Sequence, residues 1–393
     1  MRVAHVITRL IVGGAQENTL ASVLGLRQKP GLEVHLISGP TFGPEGSLES
    51  AVADCPGLLT TVPPLVRPVH PLKDWLALRR LTALFGALKP EVVHTHSGKA
   101  GILGRLAAAR SGVPVIVHTI HGPSFGQFQG AMANLIFRQT ERYAARVTTH
   151  FVVVADAMRE QYLAAGIGQP SSYTKILSGF PLEPFVSASN DLQVRAGLGL
   201  APDDIVIGKI ARLFELKGHD DLFAVAPSLV RQVPKLKFLF VGDGQWRARF
   251  ENRARALGLE KHFIFTGLVP PEKVPALVGI MDIVVHLSLR EGLPRALPQA
   301  LAAGRPVVAY DCDGAREVCL ENQTGYLVAP GALSTLEARL LALARDPNLR
   351  ARFGLAGQKL VKERFRVERM VDDLYQLYLR LSRTAPVTVP LER

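Results

Sequence analysis

The chain has 393 residues, 48% of them apolar, too long for one ordinary core; at roughly 150 residues per domain it divides into two or three, and two large α/β domains are the simplest fit. The formal charge of +12 is spread evenly, 17 basic against 11 acidic residues in 1–183 and 29 against 23 in 184–393. No basic tail or aromatic-interleaved stripe marks a nucleic-acid reader, so this diffuse charge suits phosphate-bearing small molecules or an anionic membrane surface.

Apolar, β-rich runs alternate with helical patterns from end to end, the signature of parallel βαβ units. In the first half the expected strands are Val3–Ile7, Glu33–Ile37, Val92–Thr95, Val113–Thr119 and Val147–Val154. In the second they are Ile205–Ala211, Lys237–Val241, Phe263–Thr266, Ile283–Leu287 and Val307–Tyr310. Between the halves SGFPLEPFVSASNDLQ loses periodicity and gains Pro, Gly and Ser, which puts the linker near residues 178–192. The expected domains are 1–183 and 184–365, with a last helix within 366–385 packing back on the first domain and a frayed tail after Ser382. The N-terminal run MRVAHVITRL reads as a first strand rather than a signal peptide, because His5 and Arg9 interrupt it. The longest near-apolar stretch, from Val274 to Leu289, contains Pro275 and Asp282 and is no membrane span. Cys55, Cys312 and Cys319 lack the spacing of a disulfide framework or a zinc site, which points to a reducing, cytoplasmic compartment.

Chemistry concentrates at strand ends. Glu291 follows the apolar run IVVHL and precedes a short helical pattern from about Arg295 to Ala303, a strand-to-helix turn of the kind that binds ligands in open α/β sheets. Taken alone, it reads equally as an exposed loop glutamate. Arg212 and Lys217 follow the strand ending at Ala211 and could neutralise a diphosphate, the first as a fork and the second as a point charge; either could also be a solvated loop cation. Gly242 and Gly267 end the two neighbouring strands in tight turns where a backbone can approach a ligand. In the first half Lys99 is a candidate acceptor-phosphate contact or a helix-start surface lysine. It belongs to no P-loop, since Val93 stands where Walker A needs glycine and Ala100 replaces Ser or Thr. Phe125, Phe128, Met132 and Phe137 lie in and beyond a Gly-rich loop, and Arg138, Arg142 and Arg146 recur every four residues. That combination reads as an interfacial acceptor region, or as a mobile loop beside a solvated helix face.

The motifs GGAQE at 13–17, HTIHG at 118–122, ARLFELKGH at 211–219, FVGDG at 240–244, FTGLV at 265–269, LSLREGLP at 287–294 and GRPVVA at 304–309 run in order over nearly the whole chain. In this order they resemble the retaining glycosyltransferases of family four. HTHSGKAGILGRLAA and ERYAA look like the branch that builds capsule, exopolysaccharide and lipopolysaccharide units on lipid carriers. The resemblance implies a GT-B fold, two Rossmann-like doubly wound α/β domains facing a central cleft. It implies transfer of a hexosyl or N-acetylhexosaminyl group from a nucleotide sugar, most simply a UDP-sugar, to a lipid-linked saccharide at the inner face of the cytoplasmic membrane. Arg212 and Lys217 would then hold the donor diphosphate, and Glu291 with the amides of Gly292 and Leu293 would contact the hexose. Gly13 and Gly14 would approach the diphosphate, and His121 would stand near the transferred sugar, with His118 the core histidine. No cofactor beyond the nucleotide-sugar co-substrate is implied, and no metal: Asp311-Cys312-Asp313 only imitates the DxD site of another fold. One position departs from the family, Gln299, where a second glutamate would bind the ribose; Pro298 beside it should delay or kink the helix. Alternatives are an epimerase or phosphorylase on the same fold, against which HTHSGKAG argues, and a noncatalytic nucleotide-sugar sensor, against which the intact Arg212, Lys217 and Glu291 argue.

Overall fold

The computed structural model describes residues 1–43, 46–126 and 128–384. The chain divides into two units, Met1–Phe180 with Val367–Arg393, and Pro181–Arg366. The expected frayed tail lies, from residue 385 onward, outside the described residues.

The first unit is built on seven parallel strands, β1 (Arg2–Ile7), β2 (Glu33–Ser38), β3 (Leu59–Thr61), β4 (Val92–His96), β5 (Val115–Ile120), β6 (His150–Val153) and β7 (Tyr173–Lys175), in the order β3-β2-β1-β4-β5-β6-β7. Helices cover both faces, so β4, β5 and β6 are buried along their whole length and read as unbroken apolar runs with embedded histidines. The C-terminal helix Val367–Thr384 buries Met370, Val371, Leu374, Leu377, Tyr378 and Leu381, a stripe at helical spacing, in the same cluster as Val3, Ile7 and Leu20. It approaches helix Gly14–Leu26 so closely that a Cβ on Gly25 would come within 2.4 Å of Val371.

The second unit carries six parallel strands, β8 (Ile205–Ile210), β9 (Leu236–Val241), β10 (Phe263–Phe265), β11 (Ile283–His286), β12 (Val307–Tyr310) and β13 (Gly325–Val328), in the order β10-β9-β8-β11-β12-β13. Its core is aromatic: Phe263 stacks on Phe223 at 4.3 Å and on Phe238 at 4.6 Å between centroids. Each sheet reverses its winding once, between β1 and β4 and between β8 and β11. Outside the carboxyl ends of those neighbours lies the place where such sheets bind ligands.

Several boundaries differ from the sequence reading. β6 starts at His150 instead of Val147, because the amides of residues 146–148 still bond the carbonyls of Tyr143, Ala144 and Ala145 and finish the preceding helix. The short helix after β11 spans Ala296–Ala302 and includes Pro298, starting one residue after the expected Arg295. Proline stands third in it, where the amide would have no intrahelical partner to lose.

Candidate active site

In the second unit the switch point gathers charge. Helix His219–Gln232 starts behind Gly218, whose φ of 66° is left-handed and whose missing side chain lets Leu287 O approach to 2.1 Å of the Cβ position. That contact ties the turn after β8 to the end of β11. Across it, Lys217 Nζ pairs with Glu291 Oε1. The resemblance gives these two residues separate tasks, whereas here they bond each other. Burial pushes the Glu291 carboxyl up, but Lys217, His286 and the hydrogen bonds from Lys217 and Ser288 together outweigh it and hold the group below the ordinary carboxylate range. Asp313 braces the same loop, its Oδ2 accepting the Glu291 amide at 2.6 Å, and the Gly314 amide donates to Gly292 O at 3.0 Å. Asp311 pairs with Arg316. The DCD segment thus supports the Glu291 turn, a task the sequence reading missed. Gly292 and Leu293 are buried there, and Gln299 is half-buried on the following helix. Arg212 is exposed on the turn after β8, its guanidinium 5.9 Å over the Phe214 ring.

Gly242 and Gly267 also have a structural task. They bridge each other, Gly242 N to Gly267 O at 3.1 Å, and the Gly242 Cβ position lies 2.3 Å from Ala211 O. The close approach at Gly242 is therefore to the protein's own backbone, stitching the Arg212 turn to the next strand end. Beneath this turn lies Lys209, 1% exposed, whose Nζ has no hydrogen-bond partner among the described residues. Burial, then repulsion from Lys217, lowers its pKa to about 7. A lone lysine inside IVIGKI was the signal for it.

Beside the first unit's switch point the strands carry histidines. The sheet register sets His5 opposite His94 and His96 opposite Thr119. His121, half-buried just past β5, receives or donates a bond at Nε2 from His96 Nδ1 at 3.0 Å. Burial lowers its pKa to about 4 and that of His5 to about 3, so these rings are neutral near pH 7. His118 is a core residue, 2% exposed, bonded to Thr95 Oγ1 at 2.9 Å. Nitrogens of His5, His94 and His96 lie within 4.8 Å of one another, with no carboxylate or thiolate among them. Gly13 has φ 175°, an extended conformation open to any residue, and caps the helix that Gly14 begins.

The acceptor-side expectations need correction. Phe125 is 7% exposed, packed 4.9 Å from the Tyr162 ring in an apolar cluster, and offers no surface to an acceptor or a membrane. Lys99 is engaged by Asp74 and by the carbonyl of Pro68. The arginines do not form one solvated stripe: Arg138 buries its Nε, and Arg142 donates to Ala165 O at 2.6 Å, closing the end of helix Asp156–Ala164. Charge within the two motifs is structural too, since Arg105 and Glu141 pair at 2.6 Å with exposures of 0% and 2%. Of the expected apolar residues Met132 and Phe137 are exposed, and Leu135 and Ile136 join them on helix Ala131–Ala145. Among the described residues no helix is long and apolar enough to cross a membrane.

Residues 13–173 match the family model "Glycosyl transferase 4-like domain" and residues 191–360 match "Glycosyl transferases group 1". The UDP-Gal:alpha-D-GlcNAc-diphosphoundecaprenol alpha-1,3-galactosyltransferase of Escherichia coli is 28% identical over 81% of this chain and 82% of its own length. The putative glycosyltransferase EpsD of Bacillus subtilis is 26% identical over 80% and 83%. Among solved structures, Anabaena HepE in complex with UDP and glucose superposes with a TM-score of 0.82 at 19% identity, covering 97% of this chain and 100% of that one. With both halves matched to glycosyltransferase models and two parallel sheets of the matching fold, the chain belongs to the GT-B glycosyltransferases of family four.

Proposed function

We propose that the enzyme is a retaining transferase that moves a hexosyl or N-acetylhexosaminyl group from a UDP-sugar to a lipid-linked saccharide in cell-envelope polysaccharide synthesis. The observation that carries this reading is the pairing of Lys217 with Glu291 at the switch point between β8 and β11, with Arg212 exposed on the same turn as Lys217. A donor diphosphate competes with Glu291 for Lys217, and the released carboxylate is left to accept bonds from hexose hydroxyls. Arg212 and Lys217 then stabilise the charge that grows as UDP departs. The bond between the sugar's anomeric carbon and the phosphate oxygen breaks, the acceptor oxygen bonds that carbon on the same face, and the acceptor proton passes to the leaving phosphate. No carboxylate is assigned as base, since the released Glu291 is taken up by the hexose hydroxyls and Asp313 accepts the Glu291 amide.

The Escherichia coli relative's name specifies UDP-Gal and a diphosphoundecaprenol acceptor, and HepE is described with UDP and glucose; both favour a UDP-sugar and a polyprenyl carrier here. Met132, Leu135, Ile136 and Phe137 are the surface we assign to peripheral contact with an anionic inner membrane face. The test offers an extract of lipid-linked oligosaccharides and a panel of UDP-, GDP- and dTDP-sugars, with products read by mass spectrometry. A glycosylated lipid carrier formed from a UDP-sugar, undiminished by a chelator, is the expected result. Donor hydrolysis or epimerisation without any acceptor product would overturn the reading.

A further inference from the structure

The histidines of the first unit do more than fill a core. Thr119 Oγ1 lies 2.6 Å from His94 Nε2, and His94 Nδ1 meets Tyr378 Oη. Tyr378 Oη lies 3.3 Å from His5 Nε2, His5 Nδ1 is 2.9 Å from His96 Nε2, and His96 Nδ1 is 3.0 Å from His121 Nε2. Every interior ring uses both nitrogens. Tyr378, from the C-terminal helix, joins the strand-β4 ring to the strand-β1 ring.

A neutral imidazole has one N–H and one lone pair, so each link dictates the next and the whole chain has just two directions. Thr119 decides between them. Its hydroxyl is buried and has no other hydrogen-bond partner among the described residues. If His94 donated to it, the hydroxyl proton would be left buried without an acceptor, which disfavours that direction. The favoured direction therefore starts with Thr119 donating to His94 Nε2. His94 Nδ1–H then donates to Tyr378, Tyr378 to His5 Nε2, His5 Nδ1–H to His96 Nε2, and His96 Nδ1–H to His121 Nε2.

We propose that Thr119, His94, Tyr378, His5 and His96 are positioning residues that act as one oriented hydrogen-bond chain, locking His121 in the tautomer that accepts at Nε2 and presents Nδ1–H as a donor to a hydroxyl or oxyanion of the substrate. The use made of that donor rests on the transferase reading above; the tautomer does not. Nothing in the chain moves a net proton. Its task is to fix which nitrogen of His121 carries one.

The test is the two-bond ¹H–¹⁵N correlation spectrum of the full-length protein with ¹⁵N-labelled histidine and no substrate. Wild type should show His121 protonated at Nδ1 and unprotonated at Nε2. Thr119→Val removes the deciding donor at constant shape, and Tyr378→Phe cuts the chain; each should shift His121 toward an even mixture of tautomers, while Thr119→Ser restores the wild-type spectrum. In turnover assays kcat should fall in proportion to the Nδ1–H fraction while the donor KM stays within twofold. A wild-type His121 protonated at Nε2 would overturn the proposal even if neither variant folds. So would His121 nitrogens unmoved in both folded variants, or a kcat indifferent to the tautomer. Joint displacement of the His5, His94 and His96 nitrogens by one equivalent of Zn²⁺ would replace it with a metal site.

Discussion

Along β1, β4 and β5 beside its switch point the first unit brings together imidazoles, a threonine hydroxyl and, from the C-terminal helix, a phenol, all uncharged near neutral pH. In the turns after β8 and β11 the second unit pairs a lysine with a carboxylate and carries a second cation, Arg212, near a buried lysine on β8. The two sheets reverse at the same kind of place, so topology alone does not set their chemistry. The strand-end side chains do. One point orients by directional hydrogen bonds that salt scarcely touches, and the other works by charge that a polyanionic donor can recruit and salt can screen.

Acid should separate the two most strongly. Burial lowers the pKa of His5 to about 3, of His121 and His150 to about 4, and of His94, His96 and His118 well below the usual value, all in the first unit. The unfolded chain protonates these rings below about pH 6.5 while the folded one resists, so the unfolded state binds more protons and stability falls as pH drops from about 6.5 towards 4. Each ring contributes up to about 1.4 kcal/mol per pH unit in that window. The second unit holds two such rings among the described residues, His219 and His286. Pulse hydrogen exchange after incubation at each pH should show the first unit losing protection at higher pH than the second; simultaneous loss would break the comparison.

The Arg105–Glu141 pair is the charged exception inside the first unit. Glu141→Ala leaves the buried guanidinium uncompensated and should cost about 3–5 kcal/mol, read as a lower urea midpoint. A loss within about 1 kcal/mol, the range of exposed pairs, would mean that water reaches the arginine.

In the second unit, Arg212→Ala and Lys217→Ala should each cut turnover by roughly 100-fold, about 2.7 kcal/mol, without loss of fold by circular dichroism. Near-wild-type turnover in both would remove the phosphate assignment.

The smallest effect sharpens the pocket. If the ribose lies against Gln299, Gln299→Glu replaces a neutral bond with charge-assisted ones and should tighten UDP binding about fivefold, roughly 1 kcal/mol. The gain should vanish with a 2′,3′-dideoxy analogue; unchanged or weaker UDP binding would place the ribose elsewhere.

Much of this architecture is legible in the sequence because parallel strands buried on both faces leave continuous apolar runs. The strands that escape notice, β3, β7 and β13, stand at sheet edges, and LTT and YTK carry too few apolar residues to register. At the charged switch point Arg212, Lys217 and Glu291 are readable because each lies in the turn between an apolar strand and the next helix. Their mutual bonding is not, since 74 residues separate Lys217 from Glu291. The histidine chain is harder still. His5, His94 and Tyr378 meet through sheet register and the return of the C-terminal helix, and only the i, i+2 spacing of His94 and His96 hints that both rings share one face. Phe125 misleads for the opposite reason, because a glycine-rich surround suggests exposure where the ring fills a gap beside Tyr162.

The central claim, that the charged switch point holds the donor diphosphate, is met most directly by calorimetric titration of wild type and Lys217→Ala with UDP and with uridine. The account predicts that wild type binds UDP at least tenfold more tightly than uridine, that this increment shrinks with added salt, and that it largely disappears in the variant while uridine binding is unchanged. A Lys217→Ala protein that binds UDP as tightly as wild type would contradict it.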